Sequence, residues 1–155
     1  MTATISRPKI SNWETSNIPN LTGKTALITG ANSGLGYYTA KALAEKNAHV
    51  VIACRSLEKA NQTIKKLKGL NPEGLFTPLE LDLSDLKNIV EVQSKIFDNF
   101  ENLDLLINNA GIMHPPKTLS AQGYEIQFAV NHLAHMLLTL KLLPIIEKKE
   151  ESRIV

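Results

Sequence analysis

The sequence is poor in the features that mark several classes of protein. It contains one cysteine, Cys54, which excludes an internal disulfide and favours a reducing compartment, so we expect a cytoplasmic protein. Its 17 basic and 15 acidic residues leave a net charge of +2, which does not indicate binding to nucleic acid or to a membrane surface. Lys141 and Pro144 interrupt the longest apolar segment, so we also expect no membrane span.

What the chain does contain is a regular alternation of short apolar runs and amphipathic patterns. The apolar runs predict strands at residues 25–28, 49–54, 75–83 and 103–107 and from residue 152 onward. The amphipathic patterns predict a long helix over residues 121–146 and three helices with inner faces at Leu35, Thr39, Ala42 and Leu43, at Leu57, Ala60, Ile64 and Leu67, and at Leu86, Ile89, Ile96 and Phe100.

This alternation predicts an α/β fold, namely a Rossmann-type, doubly wound parallel sheet in three αβα layers. In such a fold, ligands bind at the carboxyl ends of the strands, where the winding reverses direction. Residues 23–155 are expected to form this domain. Residues 1–22 are expected to form an N-terminal arm, which Trp13 docks onto the domain.

A glycine-rich stretch, Thr29-Gly30-Ala31-Asn32-Ser33-Gly34-Leu35-Gly36, follows the first predicted strand. Glycines allow sharp turns and close approach to a ligand, and the helix that follows presents unpaired N–H groups and the positive end of its dipole. The side chains of Asn32 and Ser33 add further donors. The stretch therefore predicts a phosphate site, and a tight strand-to-helix turn without a ligand is the alternative.

The order Thr-Gly-x-x-x-Gly-x-Gly differs from the G-x-G-x-x-G of most dinucleotide-binding folds and resembles the cofactor loop of the short-chain dehydrogenase/reductase family. The sequence Asn-Ser-Gly-Leu-Gly within this loop is similar to that of the retinol-dehydrogenase-like branch of the family. The resemblance covers residues 21–155, about the N-terminal half of a family member. It implies hydride transfer between a nicotinamide cofactor and a carbonyl or alcohol, and it places the cofactor on Gly30, Asn32, Ser33, Gly34, Leu35 and Gly36.

Arg55 stands at the end of the second predicted strand, about twenty residues beyond the glycine loop. An acidic side chain there would accept from the 2′-hydroxyl of NAD, whereas arginine offers a planar, permanently charged fork to a 2′-phosphate. We therefore predict NADP in preference to NAD, with a solvated surface arginine as the alternative.

The resemblance assigns five more cofactor contacts. Asp82 would contact the adenine amine, with the backbone of Leu83 beside it. Without the resemblance, Asp82 would be taken as a turn or cap residue. Asn109, together with Ala110 and Gly111, would lie beside a ribose of the cofactor.

Asn131 lies amid apolar residues of the long helical pattern, where an unpaired amide costs stability. In the resembled family the matching asparagine holds a water of the catalytic proton relay, so the resemblance makes Asn131 a catalytic residue. A purely structural buried asparagine is the alternative. His132 and His135 could share a helix face, but no carboxylate or cysteine cluster accompanies them, and we predict no metal site.

The family's catalytic serine and Tyr-x-x-x-Lys follow the fifth strand, and the sequence ends at Val155 before any of them. Tyr37 and Lys41 have the same spacing but lie on the helix after the glycine loop, so we reject them as catalytic. We therefore expect an inactive fragment of an NADP-dependent oxidoreductase. A non-catalytic nucleotide-binding protein, pairing through its last strand into an oligomer, and a non-functional remnant are the alternatives.

The substrate is expected by analogy alone. The resemblance of the loop sequence to the retinol-dehydrogenase-like branch implies a lipophilic alcohol, aldehyde or ketone as the substrate. Ile112, Met113 and His114, which follow the fourth predicted strand, are the residues expected near it.

Overall fold

A computed structural model of the protein describes residues 12–155, in which the apolar runs form a five-stranded, wholly parallel sheet of order β3-β2-β1-β4-β5. The strands are β1 (Thr25–Thr29), β2 (His49–Cys54), β3 (Phe76–Glu80), β4 (Leu105–Ile107) and β5 (Arg153–Ile154). The chain winds outward from β1 to β3 and then returns to β4 on the other side of β1. The direction of winding thus reverses between β1 and β4, where a crevice opens at the carboxyl ends of the strands.

Helices cover both faces of the sheet. They are α1 (Gly34–Ala44), α2 (Leu57–Leu70), α3 (Leu86–Asn99) and a continuous helix that comprises α4 (Ile126–Phe128), a π-helical turn (Ala129–Leu133) and α5 (Ala134–Ile146). Because successive strand residues point to opposite faces, Ile28 and Ile52 pack with α1 and α2 while Leu27 and Val51 pack with α3 and α5. This is the Rossmann-type, three-layer αβα architecture that the sequence predicts.

The inner face of α1 differs from the predicted one. Leu35 is exposed, and the buried residues are Gly36, Ala40, Leu43 and Ala44. The helix ends at Ala44, and Asn47 follows in a left-handed conformation with φ of 69°. Small residues at the buried positions let the helix lie close to the sheet, and a hydrophobicity pattern does not detect such positions well.

The inner face of α2 is also shifted. Leu57, predicted to be buried, is exposed, whereas Thr63 is buried and its hydroxyl donates to the Lys59 carbonyl at 2.8 Å. That bond pairs the polar group inside the helix, which makes its burial tolerable. Ala60 and Leu67 are buried as predicted, and the Ser56 hydroxyl accepts from the Lys59 amide as a helix cap.

Two strands and the last helix are shorter than predicted. Leu81 and Leu83 are buried beyond the end of β3, and Leu103 is buried before the start of β4, so burial extends further than strand pairing. The last helix begins at Ile126 and not near residue 121 because a turn precedes it, closed by a bridge between Leu119 and Glu125.

The continuous helix Ile126–Ile146 is long and apolar enough to cross a membrane by length and composition, with a mean hydropathy of 1.4, which the interrupted apolar segment did not predict. Core helices of globular proteins meet the same criterion. In this fold Leu138, Leu142 and Ile145 are fully buried against the sheet and α3, so these residues of the helix form part of the core.

The described part of the expected arm, residues 12–22, contains one 3₁₀ turn, Thr15–Asn17. Trp13 is 57% exposed, so the prediction that it docks the arm is wrong. Ile18 and Leu21 pack on the core instead, and the Leu21 amide donates to the Lys46 carbonyl at 2.7 Å. Residues 1–11 of the expected arm lie outside the described part of the chain.

Candidate functional site

A cavity of about 720 Å³ lies at the carboxyl ends of β1 to β4, beside the point where the winding reverses. Its walls come from the strand ends and from the segments that follow them: Thr29, Gly30, Asn32, Ser33, residues 53–56, Lys59, residues 81–84, residues 110–112, Pro115, Thr118, Leu119, Ile126 and Val130. Of the predicted cofactor residues, eight line this cavity: Gly30, Asn32, Ser33, Arg55, Asp82, Leu83, Ala110 and Gly111. Ile112, predicted near the substrate, also lines it.

The glycine loop is packed against the end of β4. The Asn109 amide donates to the carbonyl of Thr29 at 2.8 Å and to that of Gly30 at 3.5 Å, so it ties the two segments together behind the cavity. A Cβ atom on Gly36 would lie 2.5 Å from that amide nitrogen and 2.6 Å from the Gly30 oxygen. Gly30 has φ of 65°, and a Cβ there would be 3.0 Å from Ala110. These two glycines are therefore required by internal packing, a role that the motif alone does not reveal.

The amides of residues 32–36 donate no hydrogen bond within residues 12–155. Ser33 stands at the position that caps α1, yet its hydroxyl makes no capping bond, and the first turn of α1 carries no acidic side chain. Several N–H groups and the positive end of the α1 dipole are thus available at the loop, and Asn32 and Ser33 line the cavity. This arrangement suits an anion, in particular a phosphate.

Thr29 joins three parts of the site. Its hydroxyl accepts from the Ala110 amide at 2.9 Å and lies 2.9 Å from His135 Nε2, and it is 3.4 Å from the Ile107 carbonyl. Thr29 is fully buried and immediately precedes the glycine loop. It therefore links that loop to the turn after β4 and to α5.

Arg55 follows β2 at the opposite side of the cavity from the last helix. It is exposed, and its guanidinium makes no hydrogen bond or salt bridge within the described residues. Lys59, one helical turn further, also lines the cavity and is exposed, which sequence reasoning missed although its position four residues after Arg55 could have indicated it. Two cations at one wall make this the electropositive side of the cavity.

Cys54, beside Arg55, is buried, and its thiol donates to the Ser56 carbonyl at 3.2 Å. Burial raises the pKa of the Cys54 thiol, more than the Ser56 hydrogen bond and the Lys59 charge lower it. The thiol is therefore neutral at ordinary pH and forms an unreactive part of the wall.

Asp82 is held by its own turn. Its Oδ1 accepts from the Ser84 amide at 2.9 Å and from the Ser84 hydroxyl at 2.6 Å, while its amide donates to Asn88 Oδ1 at 2.8 Å. The turn role that the residue type favours is thus present. Asp82 also lines the cavity together with buried Leu83, so a ligand can still contact this segment.

The rim of the cavity is tied to α3 by Gln122. Its Oε1 accepts from the Leu86 amide at 3.0 Å, and its Nε2 donates to Asp85 Oδ1 at 2.6 Å. The Ala121 amide also donates to the Ser84 carbonyl at 3.0 Å. The bond from Gln122, followed by that from the Lys87 amide, lowers the pKa of Asp85, which therefore stays ionised in its two bonds.

Asn131 is exposed and lies in the π-helical turn, so the alternative of a purely structural buried asparagine does not hold. The extra residue of such a turn shifts side chains around the helix axis, which a regular helical period does not anticipate. Its Oδ1 accepts from the Ile112 amide at 2.9 Å, and its Nδ2 donates to the Ile112 carbonyl at 2.8 Å. Asn131 thus lies outside the cavity wall and fixes Ile112, which lines it.

His132 and His135 do not share a face. His132 is exposed and stacks on Phe128 with ring centroids 5.4 Å apart, whereas His135 is buried against Thr29. Within residues 12–155 there is no group of three or more histidine, cysteine, aspartate or glutamate side chains that could hold a metal ion.

Four predicted cofactor residues, Gly34, Leu35, Gly36 and Asn109, do not line the cavity wall. Leu35 is exposed at the start of α1, and Gly36 and Asn109 lie behind the loop. Tyr37 and Lys41, whose spacing matches the catalytic pair, both lie on α1. Tyr37 packs on the core, and Lys41 forms a salt bridge with Glu45 at 3.6 Å.

Comparison with known proteins gives the same assignment along nearly the whole chain. A family model described as short chain dehydrogenase matches residues 24–155. Human retinol dehydrogenase 13 is 42% identical over 133 residues, which are 86% of this chain and 40% of the relative. The chain thus spans less than half the length of this curated relative.

Solved structures agree with the fold. An uncharacterized protein from Mycobacterium paratuberculosis is 39% identical with a TM-score of 0.76, over 86% of this chain and 47% of the other. A metagenomic short-chain oxidoreductase in complex with NADP is 26% identical with a TM-score of 0.75, over 87% and 62% of the two chains. A protein from Haemophilus influenza with bound NAD is 26% identical with a TM-score of 0.71, over 88% and 55%. The protein therefore belongs to the short-chain dehydrogenase family.

Proposed function

We propose that this chain binds NADP(H) and forms the cofactor-binding part of an oxidoreductase that transfers a hydride between that cofactor and a carbonyl or alcohol. The observation that carries the proposal is the glycine loop, whose amides at residues 32–36 donate no hydrogen bond within the described residues and whose Asn32 and Ser33 line the same cavity as Arg55 and Lys59. The amides suit a pyrophosphate, and the two cations suit a second phosphate group.

The preference for NADP over NAD rests on charge. A 2′-phosphate brought to the end of β2 would meet Arg55 and Lys59, and the described residues lining this wall beside them, Ala53, Cys54 and Ser56, include no carboxylate to accept from a 2′-hydroxyl. Relatives of known structure include complexes with NADP and with NAD, so the family alone does not decide between them.

The substrate we propose is a lipophilic alcohol, aldehyde or ketone. Ile112 and Leu119 line the cavity on the side away from Arg55, and Met113 beside them is 82% exposed, so apolar surface is available there. The name of the retinol dehydrogenase relative supports the same class. Bound NADP(H) would supply the hydride, and Asn131 would hold Ile112 in place through its two hydrogen bonds. The role of Asn131 in a proton relay stays a prediction.

Titration with NADPH and NADH, followed by cofactor fluorescence, tests the proposal. We expect Arg55→Glu and Lys59→Glu each to raise the Kd for NADPH by about tenfold or more and that for NADH by less than about threefold, because only NADPH carries the phosphate that these cations would meet.

Lys66→Glu is the matched control, since Lys66 is an exposed lysine of α2 that does not line the cavity, and it should leave both affinities unchanged. Equal losses for NADPH and NADH in Arg55→Glu would remove the NADP assignment. A folded wild-type chain that binds neither cofactor would remove the proposal as a whole.

A further inference from the structure

His135 is a buried imidazole that does not line the cavity but contacts a residue that does. It is 7% exposed on α5, its Nε2 is 2.9 Å from the Thr29 hydroxyl, and its Nδ1 is 3.4 Å from the Asn131 carbonyl. It therefore touches both the residue that precedes the glycine loop and the turn that holds Ile112.

The hydrogen-bonding capacity of Thr29 explains why this contact matters. A hydroxyl has one proton and two acceptor positions, and the Ala110 amide occupies one acceptor position at 2.9 Å. A neutral imidazole with its proton on Nδ1 accepts the Thr29 proton through Nε2. With its proton on Nε2, the imidazole donates to Thr29, and the hydroxyl proton must turn to the Ile107 carbonyl at the longer distance of 3.4 Å.

We infer that His135 is a positioning residue of the proposed dinucleotide site, which holds the Thr29 hydroxyl and through it the turn at Ala110 that borders the cavity. The inference rests on the proposed function. Without the imidazole, the Thr29 hydroxyl keeps only the long contact to Ile107 as an acceptor, and a void opens beside β1. The amide of Ala110 then loses a fixed partner at the cavity wall.

Protonation of His135 would have a related effect, because an imidazolium donates from both nitrogens and can no longer accept from Thr29. Burial lowers the pKa of His135, and the bond to the Asn131 carbonyl raises it less. On the packed elements, β1 and β4 carry no titratable side chain, the π-helical turn carries exposed His132, and α5 carries Lys141 nearly two turns away. The charged residues of α3, which also packs against α5, are all exposed: Lys87, Glu91, Lys95 and Asp98. The neutral form is therefore the form that the surroundings favour.

Two variants test the inference through dinucleotide affinity. His135→Leu should raise the Kd for NADPH and for NADH by a similar factor of about ten, the effect of one lost buried hydrogen bond, whereas His135→Gln, which keeps a polar end group, should restore most of it. His132→Gln, which changes an exposed histidine of the same helix, is the control and should change neither the Kd for NADPH nor that for NADH. Unchanged affinity in His135→Leu would overturn the inference.

A pH series supplies a readout that a purely structural role would not move. In the wild type, affinity for both cofactors should fall together as His135 is protonated, and this shared step should be missing in His135→Gln. The 2′-phosphate titrates in NADPH only, so it cannot produce a step common to both. A shared step that persists in His135→Gln would overturn the inference.

Amide NMR of the ligand-free protein separates failure of the inference from failure of the proposed function. The Ala110 amide resonance should follow the titration of the His135 ring. If the Ala110 resonance does not respond, the positioning role is wrong whatever the cofactor results. If it responds but the wild type binds neither dinucleotide, the proposed function fails while the Thr29 linkage stands.

Discussion

At the scale of single residues, the glycine motif serves the protein's own packing as much as a ligand. Gly36 is enclosed by Asn109 and Gly30, and Gly30 is enclosed by Ala110, so two of the three motif glycines make room for neighbouring protein atoms. Gly34 has open space around it and φ of 55°, so its requirement is conformational. One motif thus meets different demands at different positions.

We expect Gly36→Ala to lower the free energy of unfolding by about 1–3 kcal/mol, because the added methyl group meets backbone and a fixed amide that cannot move aside cheaply. Urea unfolding monitored by circular dichroism measures this. Gly69→Ala is the matched control, since Gly69 lies in α2 with nothing within 4 Å of an added Cβ. The control should be neutral or stabilising by up to about 1 kcal/mol, and an equal loss in both variants would contradict the packing argument.

The same scale shows what could be predicted from the sequence. Arg55, Asp82 and Ala110 line the cavity as predicted because each closely follows a strand, and parallel strands bring their ends together. The contact between Thr29 and His135 joins residues 106 positions apart, which no local pattern indicates. The exposure of Asn131 also escaped prediction, because it depends on a π-helical turn.

At the scale of elements, the helix α5 shows why apolar composition must be considered together with position in the fold. Leu138 is fully buried between the sheet and α3, whereas Leu140, two residues later, is half exposed. Pro144 lies inside the helix two residues before its end, so the hydrogen bond that it cannot donate is lost only in the last turn. The segment is therefore continuous despite the interruption that its sequence indicates.

We expect Leu138→Ala to lower the free energy of unfolding by about 2–5 kcal/mol, because it removes buried methyl groups and leaves a cavity. Leu140→Ala, on the same helix, should change it by no more than about 0.5 kcal/mol. Denaturant midpoints of both variants provide the measurement. Similar losses for the two would mean that Leu140 is also covered in solution and would contradict this assignment of the buried face.

At the scale of the whole molecule, half-buried His49 and buried His135 make stability depend on pH. His49 bonds to the Thr77 hydroxyl at 2.8 Å, His135 bonds to Thr29, and burial lowers the pKa of both. A histidine whose pKa is lower in the folded chain contributes stability above its unfolded pKa, about 6.5. That contribution is lost as the pH falls, because the unfolded chain binds the proton more readily.

We therefore expect the urea midpoint to be constant above about pH 7 and to decrease as the pH falls below about 6.5, before the carboxylates titrate. His49→Gln and His135→Gln should each flatten this decrease. His132→Gln, which changes an exposed histidine, should keep the wild-type slope. A midpoint that rises on mild acidification would have the opposite sign and would show that the imidazoles gain protons on folding.

The bonds from Gln122 have a consequence for how quickly and how favourably a ligand can enter. They join the segment before α4 to the start of α3, close in sequence to Leu119 and Ser84, which line the cavity. A cavity edge that such bonds hold in place loses little chain entropy when a molecule enters the cavity. We expect association to be governed by diffusion and charge, with no slow ordering step at this rim.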